Sequence, residues 1–526
     1  MKTLFVVLSC FAACSSSAQM RTIDVQHYRF ELTLSDTTDV IKGRAFITVK
    51  FLQPAADVHF DLQSIDAQGR GMLGHLVKEQ GRALSSAQGN NRISFKLGSL
   101  PASKGDVRTF EILYEGVPKD GLIISKNKFG QRTFFGDNWP DRAKNWLPCV
   151  DDPADKASVE FLVTAPLQYQ VVSNGVQVEE TNLPNNNKLT HWKEEQPLAT
   201  KIMVIGVAEF AVQYVGDTMN VPIYSWVYPR DRDKAFYDYA QAKEILPYFI
   251  KNIGPFPYRK LANVQSTTTY GGMENAGCIF YTETRVSGNR DMESLLTHEI
   301  AHQWFGDNVT ETSFAHLWLS EGFATYFTDL YIGLRHGLDT MNMNLKAQRT
   351  KVLGFNRRGS RPVVDTITRD YKALLNANSY EKGAWALHML RNDLGDTTFM
   401  KGVRAFYEMF AGGNANTDNF RGVMERVSGK NLELFFKQWL HTPGHPVIKV
   451  TKQPGTSNNS VIINIVQQQE QVFTFPLEVE LKTSNGSVRK TLQVNKKEQS
   501  FTIDGVQATA TLILDPGTKL LFEEAK

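Results

Sequence analysis

The chain has 526 residues, of which 42% are hydrophobic and 21% are charged, and its formal net charge is +3. At roughly 150 residues per domain, this length predicts three or four domains, and the apolar share is ordinary for a folded protein. So small a net charge gives no indication of a nucleic acid partner or of binding to an anionic membrane surface.

The N-terminus has the composition of an export signal. Lys2 precedes an apolar run, and the small residues that end at Ala18 suit cleavage there, so residues 1–18 are predicted to be a signal peptide. The run is shorter than the ~20 residues of a membrane-spanning helix. No later segment is long enough either, so we expect an exported protein in the periplasm or outside the cell. Cys14 lies in a sequence that loosely resembles a bacterial lipoprotein cleavage site, and a lipid anchor at Cys14 is the alternative.

From residue 19 to 210, apolar and polar residues alternate with the period of a β-strand. Tyr28, Phe30 and Leu32 show the pattern, and turns rich in Asn, Gly and Pro separate such runs. One face of each strand is therefore expected to be buried, which is typical of an antiparallel sheet. We predict an N-terminal antiparallel β domain over residues 19–210.

Two cysteines remain after the predicted leader, Cys149 and Cys278. Two cysteines in a chain of this length do not form a disulfide framework. Packed thiols are favoured over a single bridge between them.

The period changes near Pro229, and helical patterns continue to Trp439. Within this region the sequence His298-Glu299-Ile300-Ala301-His302 places two histidines four residues apart. On a helix these imidazoles lie on one face and can bind a single metal ion. Zinc accepts such nitrogen ligands, and Glu299 is placed to take a proton from a water at that ion.

A third metal ligand is expected at Glu321. Residues 303–320 hold a helix stop at Gly306, a polar loop and the start of a second helix near His316, which is enough chain to bring Glu321 opposite the histidines. Two imidazoles, one carboxylate and a water would complete a catalytic site with one Zn²⁺ per chain. The alternative is an amphipathic helix whose histidines are hydrogen-bonded and whose Glu299 is solvated.

The chain returns to short alternating runs near its C-terminal end. His441 to Pro446 marks a boundary, and Val461, Ile463 and Ile465 resume the strand period. Strands, then helices, then strands predict an α+β multidomain chain, with a catalytic domain over 211–440 and a β-sandwich over 441–526.

Further stretches of the sequence carry distinctive motifs. They are HEIAHQWFGDNVT, LWLSEGFATYF, GGMENAG, NWLPCVDDPADKASVEF and FKQWLHTPGHPVIKV. Together they resemble the aminopeptidase N family of zinc metallopeptidases, to which leukotriene hydrolase also belongs, over nearly all of the predicted mature chain. The resemblance implies a thermolysin-like catalytic domain and peptide substrates with a free N-terminus.

The resemblance also implies roles for individual residues. Glu274 would hold the α-ammonium of the substrate, because a fixed carboxylate near the metal accepts a chain end and rejects an internal peptide. The glycines before it would let substrate pair alongside as an added strand. Tyr380 would donate to the oxyanion, and Glu299 would be the general base. The substrate-binding motif comprises Gly271, Gly272, Met273, Glu274 and Asn275.

The chain departs from the family pattern in three ways. Ser320 precedes the third ligand where the family usually has Asn, so a neighbouring hydrogen bond is expected to differ. Where relatives often have a Gln or Glu that helps to anchor the amine, this chain has Asp137 and Trp139. Asp137 is the candidate for that substrate-binding role, and Trp139 is the candidate to reshape the first side-chain pocket. The sequence also lacks the helical C-terminal domain of many relatives, which implies a more open site.

Two other functions fit parts of the same pattern. A thermolysin-like endopeptidase shares HExxH and the distant glutamate but has no use for GGMEN. A non-catalytic peptide-binding protein on this fold would not need Glu299 beside the ligands. The sequence therefore favours an exported zinc aminopeptidase, and it leaves epoxide hydrolysis open.

Overall fold

The computed structural model describes residues 21–457, 459–483 and 486–525. The predicted signal peptide and the lipid anchor at Cys14 lie outside these residues. Among the described helices, none has both the length and the apolar character that crossing a membrane requires. Cys149 and Cys278 are buried and free, which confirms the preference for packed thiols.

Strands build the N-terminal part of the chain. They are β1 (Ile23–Thr33), β2 (Ile41–Phe51), β3 (Asp57–Asp61), β4 (Gly71–Glu79), β5 (Arg82–Leu84), β6 (Ser86–Gly89), β7 (Arg92–Lys96), β8 (Val107–Val117), β9 (Leu122–Lys126), β10 (Arg132–Gly136), β11 (Lys156–Pro166), β12 (Gln170–Ser173), β13 (Val176–Leu183), β14 (Asn187–Ala199) and β15 (Ile205–Ala208). Alternate residues are buried, as the sequence predicts; Tyr28, Phe30 and Leu32 of β1 are at most 1% exposed.

The largest sheet of this part has eight strands in the order β13-β14-β11-β1-β2-β8-β4-β5. Most neighbours are antiparallel, but β1 and β11 are parallel, so the prediction of an entirely antiparallel domain is wrong at this pair. The strands β2 to β10 intervene in sequence, and so long a connection lets β11 return in the direction of β1.

A smaller sheet brings the N-terminal part to the site. Its order is β12-β15-β10-β9. The residues that follow β10 include Asp137 and Trp139, and both are buried. This sheet therefore fixes the stretch in which the sequence departs from the family pattern.

The central part of the chain combines a mixed sheet with helices. Its strands are β16 (Ala211–Thr218), β17 (Val221–Val227), β18 (Leu261–Ser266), β19 (Gly272–Met273), β20 (Cys278–Thr282), β21 (Thr310–Glu311) and β22 (Asn414–Ala415). Its helices are α1 (Arg232–Tyr239), α2 (Ala242–Asn252), α3 (Glu293–His302), α4 (Trp318–His336), α5 (Leu338–Asn356), α6 (Gly383–Leu394), α7 (Asp396–Phe410), α8 (Thr417–Ser428) and α9 (Glu433–Phe436). The sheet order is β16-β17-β18-β20-β19, so β19 lies at an edge.

The first helical stretch of this part is divided into two helices, α1 and α2. The break lies at Ala240 and Gln241, and Pro247 sits inside α2. The side-chain amide of Gln241 donates to the carbonyl of Asp238 at 2.9 Å, which is the carbonyl that a continuing helix would use.

The C-terminal strands form two sheets. The strands are β23 (Val447–Pro454), β24 (Ser460–Gln467), β25 (Phe475–Thr483), β26 (Gly486–Val494), β27 (Glu498–Asp504), β28 (Thr511–Leu514) and β29 (Glu523–Glu524). The sheet orders are β27-β24-β23-β29 and β26-β25-β28. Ile463 of the first sheet and Val479 of the second are buried in one hydrophobic core. This burial is what a β-sandwich predicts, and the sandwich stays our interpretation.

Candidate active site

The three predicted metal ligands meet between α3 and α4. The Nε2 atoms of His298 and His302 are 3.1 Å apart, and Glu321 Oε2 lies 3.3 Å from each of them. Zinc bonds of ~2.0–2.1 Å in a tetrahedron separate neighbouring ligand atoms by about 3.3 Å. The donor set therefore fits a single zinc ion.

The tautomer of His302 supports the same conclusion. Its Nδ1 lies 3.1 Å from the carbonyl oxygen of Phe305, which can only accept a hydrogen bond. Nδ1 therefore carries a proton, and in the neutral ring Nε2 keeps a lone pair that faces the other two donors. Ser320 Oγ, also 3.1 Å from Nδ1, accepts from the same N–H. The sequence predicts that a hydrogen bond at Ser320 differs from the family pattern, and this bond to His302 is the candidate.

Two glycines bring Tyr380 close to Glu321. A Cβ built on Gly322 of α4 would lie 2.9 Å from the Cα of Gly383 at the start of α6, so a side chain at either position would separate the helices. Tyr380 lies in the π-helical turn Asn378–Lys382 that leads into α6. Its ring stacks on that of His298, with centroids 5.9 Å apart.

The charges at the site favour a bound cation. Burial opposes protonation of His302, but the carboxylates of Glu321, Glu274 and Glu299 raise its pKa to about 10. Burial raises the pKa of Glu299 and of Glu274. Glu321 is also buried, yet the charge of His302 and its hydrogen bonds to the histidines lower its pKa. Three carboxyl groups around two imidazoles thus create a site where positive charge is stabilised.

The strand of the GGMEN motif runs beside α3. A Cβ on Gly271 would lie 3.9 Å from Leu295 Cδ1, and one on Gly272 would overlap the carboxylate of Glu299. At the far end, the side-chain amide of Gln303 donates to the carbonyl of Glu274 at 2.7 Å. The helix and the strand are therefore parallel, and the glycines allow their close approach.

A cavity of about 230 Å³ opens over these groups. Glu274 lies in this cavity, and 6% of its surface is exposed. Its carboxylate is close enough to Glu299 and His302 for the three side chains to contact one bound ion. Tyr270, Leu295 and Leu375, which were not among the site residues predicted from the sequence, also contribute to the wall. The lining comprises Trp139, Tyr270, Gly271, Gly272, Met273, Glu274, Leu295, His298, Glu299, His302, Glu321, Leu375 and Tyr380.

Two predicted substrate-binding residues do not line this cavity. Asp137 is fully buried, and its carboxylate accepts from Arg142 Nη2 at 2.6 Å and from the hydroxyl of Thr269 at 3.2 Å. An anion neutralised in this way is not available to a substrate amine. Asn275 is also fully buried, and its amide atoms have no hydrogen-bond partner among the described residues.

Trp139, the candidate to reshape the first side-chain pocket, does line the cavity. Its ring lies edge-on to Tyr270 and to Phe314, with centroids 6.0 and 5.9 Å away. Together with Leu375 these rings give the cavity an apolar wall. No sequence motif marks Tyr270 or Leu375 as wall residues. Their only signal in the sequence is that Tyr270 directly precedes Gly271 and that Leu375 lies shortly before Tyr380.

Comparison with protein families matches two models to most of the described chain. The Peptidase M1 N-terminal domain matches residues 24–202, and the Peptidase family M1 domain matches residues 237–439. The second match contains the whole donor set, and the first contains Asp137 and Trp139.

Individual relatives agree with these matches. Aminopeptidase M1-A of Oryza sativa is 26% identical over 70% of this chain and 43% of its own length. Glutamyl aminopeptidase of Rattus norvegicus is 26% identical over 77% of this chain and 46% of its own. Probable aminopeptidase 2 of Sulfurisphaera tokodaii is 26% identical over 81% and 54%. The chain thus spans about half the length of the curated relatives that it matches.

A solved structure shows the same fold. The aminopeptidase A of Legionella pneumophila, in complex with aspartic acid, superposes with a TM-score of 0.83 at 18% sequence identity. The superposition covers 97% of this chain and 60% of that one.

Proposed function

The chain belongs to peptidase family M1, and we propose that it is an exported zinc aminopeptidase that removes the N-terminal residue from peptides. One observation carries the proposal: the buried carboxylate of Glu274 lies in the same small cavity as the three metal donors and Glu299. An acidic group fixed at one end of the cavity selects a substrate by its free ammonium group.

The metal site and the base act on the same water. A zinc ion held by His298, His302 and Glu321 would polarise the scissile carbonyl, lower the pKa of a water and favour the ionised form of Glu299. Glu299 then takes a proton from the attacking water and returns it to the departing amine. Its position against Gly272 sets this carboxylate beside the strand along which the substrate lies.

Glu274 and Tyr380 act on the two ends of the reacting residue. Glu274 binds the α-ammonium, so the first peptide bond and no other reaches the base. Burial raises the pKa of Tyr380 well above its usual value, and the nearby carboxylates raise it further. Its hydroxyl therefore stays protonated and can donate to the oxyanion that forms as water attacks.

Acetylation of the substrate amine tests the exopeptidase assignment. We expect hydrolysis of a leucyl peptide and none of its N-acetylated form, because the acetyl group removes the charge that Glu274 binds. Equal cleavage of both peptides would support the endopeptidase alternative and contradict our proposal.

A Glu299→Gln variant tests the general base. We expect it to retain zinc, measured by elemental analysis, and to lose at least 100-fold in kcat. A zinc-loaded variant as fast as the parent would contradict the role of Glu299. As a control, the parent is treated with a chelator and then supplied with zinc. Its activity should be lost and then return, which shows the effect of metal loss alone.

A further inference from the structure

The contacts between α3 and the GGMEN strand define the direction in which a peptide lies. Gln303 and Glu274 mark the end that binds the amine, Glu299 and Gly272 mark the scissile bond, and Leu295 and Gly271 mark the end beyond it. A substrate that begins at Glu274 therefore runs towards Gly271, antiparallel to β19.

The open edge of β19 has backbone groups to pair with such a substrate. The carbonyl of Gly271 accepts from the backbone N–H of Thr282 in β20. Since strand residues alternate in direction, the N–H and C=O of Gly272 point to the opposite side, away from β20. That side is the sheet edge, where a peptide can add as a further strand.

Arg285 lies at the downstream end of this path. A Cβ on Gly271 would be 3.8 Å from Arg285 Nη2, so the guanidinium group stands beside the strand just past the reacting bond. Arg285 follows β20 in the short turn Glu283–Arg285, and its side chain is exposed.

The side chain of Arg285 also has no counterion among the residues that the structure describes. No hydrogen bond or ion pair joins its guanidinium group to any other described residue. The nearest acidic neighbour in sequence, Glu283, accepts instead from the backbone N–H of Lys128 at 3.0 Å. The other arginine of this loop, Arg290, is paired with Glu244. Arg285 is therefore a free cation placed along the substrate path.

We propose that Arg285 binds a substrate carboxylate two residues beyond the scissile bond. An extended chain advances ~3.3 Å per residue, so the three steps from Glu274 to Gly271 cover about 10 Å, which is the length of an extended tripeptide. The carboxylate is either the C-terminus of a tripeptide or an acidic side chain at the third position of a longer peptide. The proposal rests on the aminopeptidase function and assigns its substrate class.

Substrates that differ only in this carboxylate test the proposal. The first pair is leucyl-glycyl-glycine and its C-terminal amide; the second is the amides of leucyl-glycyl-aspartate and leucyl-glycyl-asparagine. For the parent we expect a KM about fivefold lower for at least one carboxylate-bearing member, as suits an exposed ion pair. The kcat should not change, because the contact is equal in the ground and transition states.

Arg285→Gln should abolish the preference, and Arg285→Lys should restore part of it. Arg290→Gln, in the same loop but paired with Glu244, is the matched control and should leave the preference intact. Leucyl-p-nitroanilide, which has no downstream carboxylate, should be hydrolysed alike by all variants. The preference should also weaken at high salt, because an exposed pair is screened.

The outcomes separate this proposal from the proposed function. A parent that prefers neither carboxylate, or an Arg285→Gln variant that keeps the preference, would overturn the role of Arg285 while leaving the aminopeptidase intact. Binding of the same peptides to zinc-loaded Glu299→Gln protein, measured by calorimetry, gives the comparison without turnover. If the parent hydrolyses no anilide, the proposed function fails, and the calorimetric comparison still decides whether Arg285 binds a carboxylate.

Discussion

Ser320 Oγ lies 3.1 Å from Nδ1 of His302, on the side of the imidazole that faces away from the metal donors. The carbonyl of Phe305 is at the same distance. Two acceptors thus share one N–H, and both hold the ring in the orientation that directs Nε2 at the metal site. The hydroxyl of Ser320 thus supports the ligand from the side of the ring opposite the metal donors.

Replacing Ser320 by alanine should weaken zinc binding. Loss of an outer hydrogen bond to a ligating histidine typically costs 10–100-fold in metal affinity. Because the Phe305 carbonyl remains, we expect a loss of about tenfold, the lower end of that range. Competition with a chromophoric chelator measures it. Ser313→Ala, an exposed serine outside the site, is the control; an unchanged affinity in Ser320→Ala would show that Phe305 alone fixes the ring.

Gly306 should be sensitive to any side chain. Its φ is +115°, which favours glycine, and a Cβ there would overlap Ser320 Oγ and lie 3.2 Å from His302 Nδ1. Gly306→Ala should lower the free energy of unfolding by roughly 1–3 kcal/mol and also reduce zinc affinity. Gly354→Ala in α5, where a Cβ meets open space, is the matched control.

A double variant separates the two causes at Gly306. If the overlap with Ser320 contributes, Gly306→Ala combined with Ser320→Ala should cost less stability than the sum of the single changes, as measured by urea unfolding. Exact additivity would leave the backbone conformation as the whole cause.

The metal site was predictable because its geometry is local. The spacing of His298 and His302 fixes their common face on one helix, and the chain length to Glu321 suffices for a return. Buried strand positions such as Tyr28 were equally predictable, because burial follows a period of two. The parallel pairing of β1 with β11 was not, since it depends on where a distant strand re-enters the sheet.

Other residues of the site depend on partners that no local pattern shows. Asp137 has the right charge to bind an amine, but Arg142 neutralises it and Thr269 donates a hydrogen bond to it, and these contacts exist only in the folded chain. Arg285 differs from Asp137 because no residue of the described fold pairs with its side chain. Sequence supplies the charged groups, and tertiary structure decides which of them remain free.

The first side-chain pocket should prefer neutral, apolar N-terminal residues. Its wall is formed by Trp139, Tyr270 and Leu375, and the Asp137 carboxylate behind it is bound to Arg142. A charged side chain would lose hydration there without gaining a counterion. We expect kcat/KM for leucyl and phenylalanyl anilides to exceed that for glutamyl and lysyl anilides by at least tenfold. This selectivity would differ from what the name of the glutamyl aminopeptidase relative implies for that enzyme.

A substitution at Trp139 tests the wall directly. Trp139→Ala should enlarge the pocket and lower the preference for phenylalanyl over alanyl anilides, while the KM of the alanyl substrate changes little. Fast hydrolysis of the glutamyl anilide by the parent would contradict this description of the pocket. So would a preference for phenylalanyl over alanyl anilides that Trp139→Ala leaves unchanged.

Asp329 should make the stability of the fold depend on pH. It lies on α4 two turns beyond Glu321, is 2% exposed, and accepts from the side-chain amides of Gln348 at 2.8 Å and Asn344 at 3.4 Å. Burial raises its pKa to about 7, although these hydrogen bonds and the charge of Lys351 act in the opposite direction.

The sign of the effect follows from proton uptake. An unfolded aspartate has a pKa of about 3.9, so between pH 4 and 7 the folded chain binds more protons at this position than the unfolded chain. Stability from this group therefore falls as pH rises through that range, and the charged form opposes folding above it. Asp329→Asn removes the charge and keeps one acceptor for Gln348. We expect the variant to gain on the order of 2 kcal/mol over the parent at pH 8 and nothing near pH 4. Urea unfolding of both proteins at pH 4.5, 6 and 8 measures the difference between their free energies of unfolding. The titration of every other group is common to both proteins and cancels in this difference. A difference that does not change with pH would show that Asp329 is ionised throughout the range.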